Sequence, residues 1–105
     1  MATLTIIHWR DIPAQVLVKA GRRTAKRQLS DRFQQAIDSA AMKAGLRDTD
    51  SYLAAWRRGA PSPCGDDLEA EAAVAAERLE RDYPDSRLAS LVRAGGQDEF
   101  AETQP

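Results

Sequence analysis

Apolar and β-branched residues crowd the first twenty positions in two short runs, TLTIIHW over 3–9 and AQVLVK over 14–19. Branched and aromatic side chains suit a pleated, half-buried surface, so both runs read as strands. Between them, Arg10, Asp11, Ile12 and Pro13 supply turn chemistry, because Pro13 drives Ile12 toward an extended backbone. The pair is predicted to form an antiparallel hairpin. Along the first run Leu4, Ile6 and His8 alternate with Thr5, Ile7 and Trp9, so neither face is plainly polar. A lone two-stranded ribbon is marginal in water and needs a cover.

The period then changes. Ala25, Leu29, Phe33, Ala36, Ile37, Ala40, Ala41 and Ala44 recur at helical spacing, predicting a helix over 25–44. Thr24 is its expected N-cap and Gly45 its expected stop. Phe33 and Ile37 are the expected anchors, each contributing about 1.5–3 kcal/mol when fully buried. A shorter helix is expected from a Thr49 or Asp50 cap through SYLAAWRR, halted by Gly59, with 60–66 as a loop. Leu68, Ala72, Ala75, Ala76, Leu79 and Tyr83 then mark a helix from Asp67 that Pro84 ends. A last short one carries Leu88, Leu91 and Val92, capped by Asp85 or Ser86 and closed by Gly95 and Gly96. The expected fold is α+β, an N-terminal antiparallel β-hairpin packed on one long helix and two or three shorter ones. One domain over 1–94 and a flexible polar tail over 95–105 complete the expectation.

A chain of 105 residues supports a single modest core without disulfides. No run approaches the ~18 apolar residues of a membrane span, and no basic segment leads an apolar block at the N-terminus. The single Cys64 excludes an internal disulfide framework and fits a reducing compartment, so a cytoplasmic location is expected. The net charge of −1 conceals a division: 1–58 holds 11 Lys and Arg against 5 Asp and Glu, and 59–105 holds 4 against 11. Such a chain either folds its two halves onto each other or offers two faces to two partners.

Candidate chemistry centres on KAGRRTAKR, where five of the nine residues 19–27 are Lys or Arg. Guanidinium groups beside the free N–H groups of a helix N-terminus make a receptor for phosphate or carboxylate. The same side chains, solvated or paired with the acidic helix, would have no partner outside the chain. Arg10, Arg22, Arg23, Lys26 and Arg27 are therefore the candidate anion- or partner-binding residues. Trp56 beside Arg57 and Arg58 is a second candidate partner site, since Trp and Arg anchor interfaces, although both Trp residues also suit a core. Nucleic acid is the lesser reading of the basic segment, because neither zinc-finger spacing nor an aromatic RNA-binding segment accompanies it. His8 has no second ligand at metal spacing and reads as a partly buried strand residue bonded to backbone. Cys64 lacks a base to activate it and reads as an incidental thiol. With no catalytic constellation, neither an enzyme nor a cofactor is expected.

The segments WRDIPAQV, GRRTAKRQL and RFQQAID, followed by DTDSYLAAWRR and GDDLEAEA, resemble the small bacterial family labelled "virulence factor". That label names a phenotype and no reaction. The resemblance implies a context of folate and corrinoid one-carbon metabolism, including methylenetetrahydrofolate reductase. It also implies related domains in longer proteins with an Nfu-type module and HEAT-like repeats. The implied role is an accessory domain docking onto a one-carbon enzyme. Folate polyglutamate tails are polyanions, so Arg22, Arg23, Lys26 and Arg27 would also meet substrate at a shared interface.

Overall fold

A computed structural model of the chain describes residues 2–45 and 49–96. The fold is α+β: an antiparallel sheet of five strands and four helices. Strands β1 (Ala2–Trp9), β2 (Ile12–Ala20) and β3 (Arg23–Gln28) form a meander, followed by helices α1 (Asp31–Lys43) and α2 (Thr49–Ala54). Two three-residue strands, β4 (Trp56–Arg58) and β5 (Ser62–Cys64), precede α3 (Leu68–Asp82) and α4 (Asp85–Arg93). The sheet order is β3-β2-β1-β4, and β5 pairs with β1 farther along the edge that β4 occupies. The expected polar tail beyond Gly96 lies outside the described residues.

The predicted hairpin is present and is part of a larger sheet. Residues 24–28, expected as the cap and first turn of the long helix, instead belong to β3, with Ala25 opposite Val18 and Lys26 opposite Leu17. Gly21 takes φ 60° as the first of two turn residues, where a type II′ hairpin turn needs positive φ. The helix therefore starts at Asp31, and Ser30, not Thr24, occupies its N-cap. Residues 56–58, expected at the end of a helix, pair with Ile7, His8 and Trp9. Part of the expected loop also joins the sheet, with Pro63 opposite Thr3, an edge position where the missing N–H does no harm.

Strand parity sorts the side chains. Leu4, Val16, Val18 and Ala25 meet the helices, and Phe33, Ala36, Ile37, Ala40 and Ala41 of α1 are buried in the same core. Helix α1 packs on α4 and β2, while α3 lies along β2 and β3. Leu68, Ala72 and Ala76 are the buried residues of α3, and the two alanines are small enough to bring its axis close to the sheet. A register shift between Ile7 and His8 places the β2 bulge next to Pro13, which has no ladder N–H to lose. Beyond it Trp9 and Ile12 are fully buried in the core the helices share.

Two helices cap each other. The Ser30 side chain makes no cap bond to its own helix. Instead Glu80 of α3 accepts from the Ser30 N–H at 2.6 Å and from its hydroxyl at 2.8 Å, doing from another helix what a capping-box glutamate does within one. In return Arg32 of α1 donates to the Glu80 carbonyl at 2.7 Å and the Tyr83 carbonyl at 2.6 Å, two acceptors that the last turn of α3 leaves open. Its ion pairs with Glu80 and Asp85 measure 3.1 and 3.2 Å. Burial pushes the Glu80 carboxyl up, but the Ser30 and Arg32 bonds outweigh it and hold the group below its ordinary value. Arg32→Ala is expected to cost about 1.5–3 kcal/mol in urea unfolding, the range for bonds to a charged donor. Arg32→Lys should recover only part, because one ammonium cannot reproduce the fork.

Candidate functional site

None of the five strands contains an Asp or Glu, whereas α3 alone carries Glu69, Glu71, Glu77, Glu80 and Asp82. The charge asymmetry of the sequence thus becomes a cationic sheet backed by an acidic helix. Lys19, Arg22, Arg23, Lys26 and Arg27 are all exposed and surround the β2–β3 turn and the edge strand β3. Among the described residues none of the five forms an ion pair. This geometry replaces the expected helix N-terminus. The cations sit on β2, β3 and the turn between them, and none lies in the first turn of α1.

Antiparallel alternation distributes the cluster over two faces. Arg23 and Arg27 share the face of Ala25, and Arg27 and Gln28 border a groove with Ala73, Ala76, Glu77 and Glu80 of α3. Lys19, Thr24 and Lys26 share the other face with Thr3, Thr5 and Leu17. Leu17 stands outside the helix-packed core, yet is only 7% exposed among these neighbours. The long stems of lysines can cover apolar surface while keeping their ammonium groups wet.

The remaining candidates gather at the opposite end of the sheet, around the β1–β2 turn. Arg10 adopts φ 52° and sends its guanidinium to the Gly95 carbonyl at 2.9 Å, 5.4 Å from the Trp9 ring centre. Arg57 donates to the Arg10 carbonyl at 2.8 Å and pairs with Asp11 at 2.9 Å. These two arginines brace the fold. Trp56 is half-buried edge-to-face on Tyr52, with ring centres 6.2 Å apart, and Arg58 is exposed opposite Ile7. Trp9, by contrast, is sealed inside. The structure brings Arg22, Arg23, Lys26 and Arg27 together and leaves Arg10 and residues 56–58 in a separate group. Lys19 joins the first group; its place in the basic run was the signal for it.

Neither titratable candidate outside these clusters is primed for chemistry. The Cys64 thiol is pushed up by burial and by the carboxylates of Glu71 and Asp66, which keeps it protonated. His8 is pushed down by burial and by the Arg57 charge, and its Nδ1 is buried without a hydrogen-bond partner among the described residues. A hydrogen bond between the imidazole and the Ile6 backbone acts in the opposite direction and is outweighed. Because His8 is the sole histidine, its imidazole resonance is unambiguous in a proton NMR titration. The midpoint is expected below the ordinary value of about 6.5. Since the folded value is depressed, the stability linked to His8 is complete above about 6.5 and is lost as pH falls through the folded midpoint. A midpoint at or above the ordinary value would contradict this environment. Among the described residues no group of three or more His, Cys, Asp or Glu is placed to hold a metal ion, and no helix is long and apolar enough to cross a membrane.

The family model described as Virulence factor matches residues 7–92. The chain belongs to that family. No curated protein and no solved structure matches it.

Proposed function

We propose that this virulence-factor-family domain is a non-enzymatic accessory module that docks onto a partner protein through its cationic β2–β3 hairpin. The observation supporting this is five exposed cations that form no ion pair among the described residues, on a sheet whose strands hold no carboxylate. A surface of one sign steers an oppositely charged partner and raises its association rate. The partner class comes from the family resemblance: a bacterial one-carbon enzyme of folate metabolism such as methylenetetrahydrofolate reductase, met in the cytoplasm. Polyglutamate tails of its folates are a second anion within the chemistry of Arg22, Arg23, Lys26 and Arg27.

A nucleic-acid-binding regulator is the alternative, favoured by the same exposed cations. Against it stands the acidic α3 packed directly behind β3, which repels phosphate. Affinity purification from the native cell separates the two. Retention of a folate enzyme at physiological salt supports the accessory role, and recovery of the domain alone contradicts it. Retention on duplex DNA that weakens steeply with salt would favour the alternative.

A further inference from the structure

We propose that the free edge of β3 is a strand-addition site for an extended, acidic segment of a partner protein. This deepens the docking reading above by giving its mode and the chemistry of the docked segment. The ladder register decides which groups are available. The two-residue turn at Gly21 and Arg22 makes Ala20 and Arg23 the hydrogen-bonded pair, so Val18–Ala25 and Val16–Arg27 follow at every second step. The Leu29 N–H, bonded to the Ala14 carbonyl at 3.1 Å, continues the same alternation. The main-chain N–H and C=O groups of Thr24, Lys26 and Gln28 therefore point away from β2. Every residue of β3 except Ala25 is exposed, and among the described residues β2 is its one neighbour in the sheet.

An edge that offers donors and acceptors in alternation is met in full by another strand. A phosphate backbone supplies acceptors alone and would leave the Thr24, Lys26 and Gln28 carbonyls unanswered. No aromatic side chain lies on β3 to stack a base. A second copy of the chain is disfavoured by charge, since pairing two β3 strands opposes Arg23, Lys26 and Arg27 to like charges. An acidic strand reverses that sign. On the face of Lys26 its side chains would be carboxylates. On the other face they would be small and apolar, packing on the aliphatic stems of Arg23 and Arg27, whose guanidinium groups stay in solvent, and entering the groove lined by Ala73, Ala76, Glu77 and Glu80. The matching segment alternates acidic and small apolar residues.

The test is amide hydrogen exchange on the whole chain, followed by NMR, with the synthetic peptide Ac-VEVEVEVE-NH2. Exchange at Thr24, Lys26 and Gln28 should slow, while Ala25 and Arg27, already in the ladder, change little. The peptide Ac-VKVKVKVK-NH2 should have no effect. Thr24→Pro removes one outward donor and no charge, and should weaken peptide binding about 2- to 10-fold, the equivalent of one hydrogen bond. If that variant does not fold, the exchange pattern of the unaltered protein still decides. Peptide binding without slowed exchange at those three amides would overturn strand addition and leave docking by charge standing. Absence of peptide binding at low salt would overturn it too, while capture of the folate enzyme judges the broader reading separately. Protection of the same amides by self-association, or by a short DNA duplex, would overturn it in favour of a second copy or of nucleic acid.

Discussion

Replacing Trp9 by alanine is expected to remove about 3–5 kcal/mol of stability, the range for truncating a large aromatic in a core. The site has little room to collapse. Trp9 is 0% exposed, donates its indole N–H to the Tyr52 carbonyl at 3.0 Å, and lies 5.8 Å from the Tyr52 ring centre. Its loss empties the junction where β1, β2, α2 and the end of α4 meet, and it strips the Tyr52 carbonyl of a donor. Against a total of about 5–15 kcal/mol for a domain, this is about a fifth or more of the whole. Urea unfolding measures it directly, and a loss under about 1 kcal/mol would contradict the packing. The same contact can be probed from the other side. A Cβ at Gly96 would stand 2.7 Å from Trp9 Cζ3, and Gly96 holds φ 92°, a backbone that side chains resist. Gly96→Ala should therefore also destabilise the fold, through displacement of the indole and backbone strain together.

Much of this arrangement is legible in the chain. The branched runs at 3–9 and 14–19 are strands, and Phe33, Ala36, Ile37, Ala40 and Ala41 form the buried stripe of α1. Asp67 caps α3 as its position suggests, accepting from the Ala70 N–H at 3.2 Å. The third strand is hidden because Ala25, Leu29 and Phe33 are spaced four apart, a helical interval here occupied by a strand, a connector and a helix. An edge strand exposed on both sides also lacks apolar alternation, and only Ala25 of β3 is buried. Gly21 between Ala20 and Arg22 was the local clue, since glycine at the first turn position suits a hairpin.

The short strands β4 and β5 were beyond reach for another reason. Three residues carry no period, and both are defined by pairing with β1, about fifty residues away in sequence for β4 and about sixty for β5. Arg10 and Arg57 show the same limit in side-chain form. Nothing near Arg10 in the chain announces that its acceptor is the carbonyl of Gly95. The α3 capping partner of Ser30, Glu80, is equally remote. Of the candidate site, the clustering of Arg22, Arg23, Lys26 and Arg27 was readable from adjacency alone. Their support on an edge strand was not, because it follows from the turn and the ladder.

The second large effect concerns function. Alanine at Arg22, Arg23, Lys26 and Arg27 together should reduce partner affinity by roughly 4-fold to several hundred-fold, taking about 0.2–1 kcal/mol for each of the four surface charge pairs lost. Stability should scarcely move. These side chains are exposed and form no ion pair among the described residues, and such substitutions usually stay within about 0.5 kcal/mol each. The loss of affinity should shrink as salt rises, because screening already weakens the native contact.

The decisive measurement sets that quadruple variant beside the native chain in the same affinity purification, with urea unfolding of both. Capture of a folate enzyme by the native chain, lost in a variant that unfolds at nearly the same urea concentration, is the expected result. Equal capture by both chains, or a variant that is markedly less stable, would show that these cations serve the domain itself and not another protein.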